Sequence, residues 1–206
     1  MSFNKETAND LALLKIHSNA KKRNQSKLKL QRFVTEKNKK IARTRRQRGY
    51  AWEDTLVKRF NALNGWKAFR LGSPSVALPD ILVVSNNANT LFTIEAKSGT
   101  SSSLQVPFDQ ITRCLKWIHT FELYKTRKVI IAFKFLSKKR IATGKYEHRQ
   151  LREFFKVWDD SKDITDFICT YDGETFSIVD GTRQRLVLKD YPMPFQKNLV
   201  KNRILL

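Results

Sequence analysis

Cysteine is nearly absent from this 206-residue chain: Cys114 and Cys169 are the only two, far apart and in no CxxC pattern. Neither a zinc site nor a disulfide framework can be argued from them, so a reducing compartment, the cytoplasm, is expected. No apolar run approaches the length needed to cross a bilayer, and no membrane partner is expected. "LALL" is the longest apolar run near the N-terminus, too short for a signal-peptide core. Glu6, Asp10 and a lysine content as high as the arginine content argue against a transit peptide. Acids are scarce as well: 19 Asp and Glu stand against 40 Lys and Arg, a formal net charge of +21. That is far beyond what solubility requires and implies a polyanionic partner.

The first 48 residues lack Pro and Gly altogether and carry 15 basic residues against three acidic, more than half of the excess charge. Leu30, Phe33, Val34 and Ile41 form a weak helical stripe there. Residues 1–48 are therefore read as a basic extension, helical or disordered when free and ordered on nucleic acid, with Arg43, Arg45, Arg46 and Arg48 as phosphate contacts; the plainer alternative is a solvated tail with a localisation patch in "KKRNQSK" or "RTRRQR".

From Gly49 the hydrophobic pattern changes. "YAWEDTLVKRFNALNGW" predicts an amphipathic helix ended by Gly65, with Tyr50, Leu56, Val57, Phe60 and Leu63 on its apolar stripe. A strand in "WKAFRLGSPS" runs into a Gly-Ser-Pro loop, and "ILVVS" and "TLFTIEAKS" flank the turn "NNAN" as a hairpin. "FDQITRCLKWIHTF" predicts a second helix, "KVIIAFKFL" an inner strand and "EHRQLREFFKVW" a third helix. Two Asp-Gly signals in "DFICTYDGETFSIVDGTRQRLVL" predict a terminal hairpin or meander. The expected class is α/β, a mixed sheet flanked by helices, with residues 49–190 as the folded domain and 191–206 as a tail.

Three charges contradict the apolar character of the central hairpin. Strand alternation puts Phe92, Ile94 and Ala96 on one face and Leu91, Thr93, Glu95 and Lys97 on the other. Glu95 and Lys97 thus share a face, about 7 Å apart. Asp80 opens the neighbouring strand and falls beside Glu95. Two carboxylates brought together resist ionising unless a cation sits between them. A hard divalent ion accepts one or two carboxylates and keeps open water positions, and the Ala96 carbonyl can add an oxygen. Lys97 can hold a phosphate oxygen or orient a water. These are the parts needed to hydrolyse a phosphodiester. Read blandly, they are an exposed strand end with an incidental Glu–Lys pair. Glu53 adds to the set, because a carboxylate on the core-facing side of a helix needs a cation or a donor; its plainer role is a first-turn acid favoured by the helix dipole. Arg70, Ser73 and Ser75 precede Asp80 in a loop suited to phosphate contact, or simply to a turn.

Glu53, "RLGS", "LPDI", "IEAKS" and "VPFDQI", in that order between Gly49 and Leu136, resemble the archaeal Holliday junction resolvases of the PD-(D/E)xK nuclease superfamily. The resemblance implies a restriction-endonuclease-like fold and a Mg2+-dependent endonuclease, with Mn2+ able to substitute, that cuts branched DNA at four-way junctions. It further implies that Asp80 and Glu95, with Glu53 nearby, bind the metal and that Lys97 helps activate water. Ser73 matches the family's active-site serine, with Ser75 close enough to compete. Gln110 matches a supporting residue and Arg70 a DNA contact. Family members are homodimers whose two active sites cut opposed strands of the junction, and a cytoplasmic, nucleoid-associated location is expected. Residues 137–190 do not follow the pattern and are read as an elaboration. "QKNLVKNRILL" has Gln196 and Leu199 at the spacing of a sliding-clamp peptide but lacks its aromatic pair, so a clamp stands only as an alternative partner. A repair or restriction-type nuclease, or an inactive nucleic-acid-binding protein on the same fold, are the alternatives.

Deleting residues 1–48 is expected to weaken DNA binding on all sequences and to flatten its salt dependence, by about 0.9 in log–log slope for each phosphate that the extension neutralises. Titrating affinity against NaCl tests this; an unchanged slope would mean that the extension does not touch DNA.

Overall fold

The computed structural model describes residues 34–36, 38–44, 46–71, 77–158 and 165–196. The chain divides into two units, Met1–Arg46 and Gln47–Leu206. In the first, the described residues are helical; Val34 and Ile41 of the expected stripe are exposed, and Leu30 and Phe33 lie outside the described residues.

The second unit opens with helix α1 (residues 47–61). Trp52, Leu56 and Phe60 recur every four residues, share one face and are fully buried. The expected stripe included Tyr50, which the structure leaves 40% exposed, and omitted Trp52. The indole is core because its N–H finds a partner: Trp52 Nε1 donates to the Ala132 carbonyl at 3.1 Å. Past the left-handed Gly65, strand β1 (Lys67–Arg70) returns along α1. The Asn61 amide clamps the two together, accepting from Ala68 N at 2.8 Å and donating to Ala68 O at 3.1 Å.

Strands β2 (Ile81–Ser85) and β3 (Thr90–Gly99) form the expected hairpin. Chain then leaves the sheet through β4 (Ser103–Val106) and helix α2 (Phe108–Thr120) and re-enters it as β5 (Thr126–Phe135), parallel to β3 over ten residue pairs. After the ribbon β6 (Lys138–Ala142) and β7 (Lys145–His148), β8 (Arg152–Val157) pairs antiparallel with β5. The central sheet is mixed, in the order β1-β2-β3-β5-β8. A meander of β9 (Asp166–Thr170), β10 (Thr175–Val179) and β11 (Thr182–Arg185) joins β4 in a second sheet, so the terminal hairpins extend that sheet rather than the central one.

Both faces of β3 and β5 are covered. Phe92, Ile94, Ile130 and Ala132 pack with α1, Met193 and Phe195. Leu91, Val129, Ile131 and Phe133 pack with Ile111, Cys114 and Ile118 of α2 and with Phe167 of the second sheet. Both cysteines are buried free thiols, and burial pushes the Cys169 thiol up to about 12.

One expected element is wrong. "EHRQLREFFKVW" forms the end of β7 and all of β8, not a helix. Phe155 belongs to the core under α1 and Phe154 packs against the opposite core. Neighbouring residues can serve opposite faces only in a strand. Charge locks it there: Arg59 donates to both Glu153 oxygens at 2.6 and 3.1 Å, and Lys156 donates to Asp190 at 2.9 Å. Among the described residues, no helix is long and apolar enough to cross a membrane.

Gly173, in the β9–β10 turn, has φ +83, and a Cβ there would stand 2.6 Å from the Phe154 ring; Gly181, in the β10–β11 turn, has φ +74 and open space around it. Gly181→Ala is expected to cost about 1 kcal/mol, the backbone penalty alone, and Gly173→Ala about 2–3 kcal/mol because the packed ring must also move. Denaturant melts of the two variants give the comparison; equal losses would mean that the ring yields freely.

Candidate active site

The hairpin register pairs Ile81 with Ile94, so the next step outward sets Asp80 beside Glu95. Asp80 is fixed by main chain: its carbonyl accepts from Leu71 N at 2.9 Å, and its Oδ2 accepts from Ala96 N at 2.8 Å. Glu95, 1% exposed, is among the most buried charged side chains described. Its two oxygens are divided between two cations. Lys97 Nζ donates to Oε1 at 2.7 Å, and Arg113 Nη2 donates to Oε2 at 2.8 Å. Arg113 also stands 3.8 Å from Asp80 Oδ1.

Arg113 comes from α2, and α2 is held by remote contacts. Pro107, at its N-cap, supplies no side-chain cap. Asp166 of β9 does so instead, accepting from Phe108 N at 2.8 Å and from Gln105 Nε2 at 3.1 Å. On the strand side, Thr93 Oγ1 donates to the Cys114 carbonyl at 3.2 Å. Trp117 Nε1 donates to the Ala77 carbonyl at 3.1 Å, tying the same helix to the segment that leads into Asp80.

Glu53 approaches from α1. Its Oε2 is buried with no hydrogen-bond partner. Burial, then the charge of Asp80, push its carboxyl up to about 7, against the pull of Arg70. Burial, then Glu95, push Asp80 up to about 6, against the Ala96 N–H, Lys97 and Arg113. For Arg113, burial opposes the charge, but Glu95 and Asp80 more than offset it and hold the guanidinium above its ordinary value. Cys114 lies next to this cluster, and burial together with the two carboxylates raises its thiol.

The donor set is oxygen-rich, anionic and short of positive charge at Glu53 and Asp80. It fits a hard divalent cation, which would relieve the same crowding that raises both carboxyls. Among the described residues, no three His, Cys, Asp or Glu already stand in a ligand cluster. Asp80 and Glu95 are the adjacent pair, and Glu53 lies near enough to feel both charges. Lys97 and Arg113 neutralise Glu95 in the meantime.

The structure thus brings together Glu53, Asp80, Glu95 and Lys97. Ser73, Ser75 and Arg45 lie outside the described residues. Gln110 is one turn before Arg113 on α2, its Oε1 buried and without a partner. Arg70 pairs with Asp54 at 3.2 Å and lies over the Tyr50 ring at 4.9 Å. Arg43 and Arg46 are exposed on helical backbone, and the Arg48 carbonyl accepts from Ser98 Oγ at 3.2 Å. Gln196 is spent locally, its Oε1 accepting from Met193 N at 2.7 Å, while Leu199 lies outside the described residues. Arg113 was missed from sequence. The signal was present: a buried carboxylate with two oxygens needs more than one lysine, and Arg113 lies three residues after Gln110, hence on the same helix face.

The sequence matches the model of the family described as archaeal Holliday junction resolvase (Hjc) over residues 44–168. A similar solved structure is that of Hjc from Archaeoglobus fulgidus, described as a Holliday junction resolvase from an archaeal hyperthermophile. It is 16% identical, the match covers 60% of this chain and 84% of that one, and the TM-score is 0.39. No curated protein matches the chain.

The raised carboxyls set a pH dependence of stability. Both hold their protons more tightly folded than unfolded, so their contribution is fully present below their ordinary values of 4.5 and 3.8 and is lost as pH rises through about 7 for Glu53 and about 6 for Asp80. Metal-free protein should therefore lose stability between pH 4.5 and 7 through these groups, and Glu53→Gln should shallow that decline. Urea midpoints of both proteins across this range test it; identical slopes would place the Glu53 carboxyl in ordinary solvent.

Proposed function

The chain belongs to the archaeal Holliday junction resolvase family, and on that premise we propose that it is a Mg2+-dependent endonuclease that resolves four-way DNA junctions by paired phosphodiester hydrolysis. The observation that carries the proposal is the cluster of Asp80, Glu95, Lys97 and Arg113 at one end of the β2–β3 hairpin, two acids and two cations in a partly buried site on a strongly basic chain.

Asp80 and Glu95 are the metal ligands in this reading, with Glu53 the further acid beside them. A divalent ion bound there supplies a Lewis acid for the phosphoryl oxygen and lowers the pKa of water. Lys97 and Arg113 already lie on Glu95. Once Glu95 has another partner, either cation is free to meet the charge that gathers on a phosphoryl oxygen as water adds to phosphorus and a P–O ester bond breaks. Burial and the Asp80 charge raise the Glu53 carboxyl to about 7 without the ion, so Glu53 would gain by sharing in holding it. Ser73 and Gln110 are proposed as supporting groups, and Arg70 and Ser75 as contacts to the flanking backbone. Two copies of the chain would cut opposed strands, and residues 1–48 would add sequence-independent phosphate contacts. Mn2+ is expected to substitute for Mg2+, and the chromosome is the expected place of action.

Asp80→Ala, Glu95→Ala and Lys97→Ala are each expected to lower cleavage of a mobile four-way junction by about 100-fold or more while junction binding is largely kept. Arg113→Ala should also cost stability, about 3 kcal/mol, because it strands a buried carboxylate. The assay is cleavage with and without Mg2+, read on both strand pairs. Symmetric nicks across the junction are the expected result. Equal cutting of linear duplex would remove the resolvase reading, and binding with no metal-dependent turnover would indicate an inactive DNA-binding protein.

A further inference from the structure

The β6–β7 ribbon has no role in the site, yet it starts beside it. Gly99, the last residue of β3, is two residues beyond Lys97, about 7 Å along the strand. Its carbonyl accepts from Leu136 N at 2.9 Å, and the Thr100 carbonyl accepts from Arg140 N at 2.9 Å. Across the ribbon's base, Arg149 N donates to the Ser137 carbonyl at 2.8 Å. The Arg149 side chain locks this root. Nε donates to the Leu136 carbonyl at 2.9 Å and Nη2 to the Ser101 carbonyl at 3.0 Å, while the guanidinium lies 4.5 Å from the Tyr171 ring centre and 5.6 Å from that of Phe135.

Beyond this anchored root the ribbon is exposed along both strands, apart from a half-buried Lys139. It carries four Lys and Arg against one acid, Glu147. Those charges are sorted by face. Lys138 is opposite His148 and Arg140 opposite Tyr146, and cross-strand partners share a face, as do alternate residues. One face therefore carries Lys138, Arg140, Tyr146 and His148 with no acid. The other carries Lys139 opposite Glu147 and borders a cleft of about 430 Å3 whose walls also include Arg149, Asp172 and Arg183, with His148 at the rim between the two faces. Lys138, Lys139, Arg140 and Lys145 form no ion pair among the described residues. Near the tip Ile141 is 59% exposed and Tyr146 48%. The five residues of β6 reach about 16 Å, and a two-stranded ribbon fits the major groove of a duplex.

We propose that the ribbon Lys138–His148 is a second DNA-contacting arm, which lays its Lys138, Arg140, Tyr146 and His148 face along the backbone of a duplex leaving the active site. The proposal rests on the nuclease reading above and extends it to a named surface. The acid-free face matches the uniform charge of a phosphate backbone. Its rigid root couples the arm to the strand that bears Glu95 and Lys97, so the duplex it holds is aligned with the scissile bond.

The test compares full-length wild type with Lys138→Gln/Arg140→Gln, measuring affinity for a four-way junction from 50 to 300 mM NaCl. The double variant should bind on the order of tenfold more weakly at 0.1 M salt, with a log–log slope shallower by about 2. Lys138→Arg/Arg140→Lys should restore the slope, and Lys139→Gln, on the other face, should leave it within error. Melting curves matching wild type show that these exposed substitutions do not act by unfolding. If wild type cuts junctions but the double variant keeps its slope and affinity, the ribbon proposal is overturned and the nuclease reading stands; a protein partner for the ribbon would give this result. If wild type neither binds nor cuts branched DNA, the nuclease reading fails and the ribbon proposal falls with it.

Discussion

A carboxylate on a central strand, covered on both faces, cannot be left with its charge unanswered, and Glu95 is answered from two elements at once. Lys97 comes from its own strand and would be there whatever the rest of the chain did. Arg113 comes from α2, and that second ion pair gives the crossover between β3 and β5 a required position. Breaking such a buried pair from one side costs about 3–5 kcal/mol, a large share of the stability of an ordinary domain. The placement of α2 is therefore an electrostatic constraint as well as a packing one. Ile111, Cys114 and Ile118 fix which side of the helix faces the sheet, and Arg113 fixes its rotation and its height along β3.

The same residues that hold the fold are those that chemistry would use. Glu53 and Asp80 remain undercompensated, with carboxyls raised into the neutral range, while Glu95 is fully compensated. The site stores its electrostatic tension at two positions and relieves it at the third. A cation held by Asp80 and Glu53 would remove the tension and compete with Lys97 and Arg113 for Glu95. Both basic side chains would then be available to something anionic, and the largest source of anionic charge near so basic a chain is a nucleic-acid backbone.

Much of this was legible in the sequence. Strand alternation and the Asn-rich turn were enough to put Asp80, Glu95 and Lys97 together, because a hairpin is a local structure whose register follows from the turn. The misread helix at Arg152–Val157 shows the limit. In "REFFKV" two adjacent aromatics stand between charges, which sets neither period clearly, and only the pairing with β5 and the two cores on either side decide that Phe154 and Phe155 point opposite ways. Trp52 was passed over because an indole needs a hydrogen-bond acceptor to be core, and its acceptor, Ala132, lies 80 residues away. Arg113 was missed for the same reason: its partners are on other elements. Contacts within a hairpin or along a helix could be read; those between distant elements could not.

The cap on α2 has a consequence for the order in which the site is made. Asp166 is 58 residues beyond Phe108, whose N–H it accepts. Before β9 docks, the Phe108 N–H lacks this acceptor, and closing so long a loop carries an entropy cost that local contacts do not. A chain still emerging from synthesis can form the β2–β3 hairpin early and bring its two acids together. The helix that supplies the second cation can meet Thr93 and Ala77 earlier, but its N-terminal cap is complete only when β9 has arrived. The first turn of the helix that carries Arg113 is thus finished by a residue from the second sheet, which ties the two sheets together at the edge of the site.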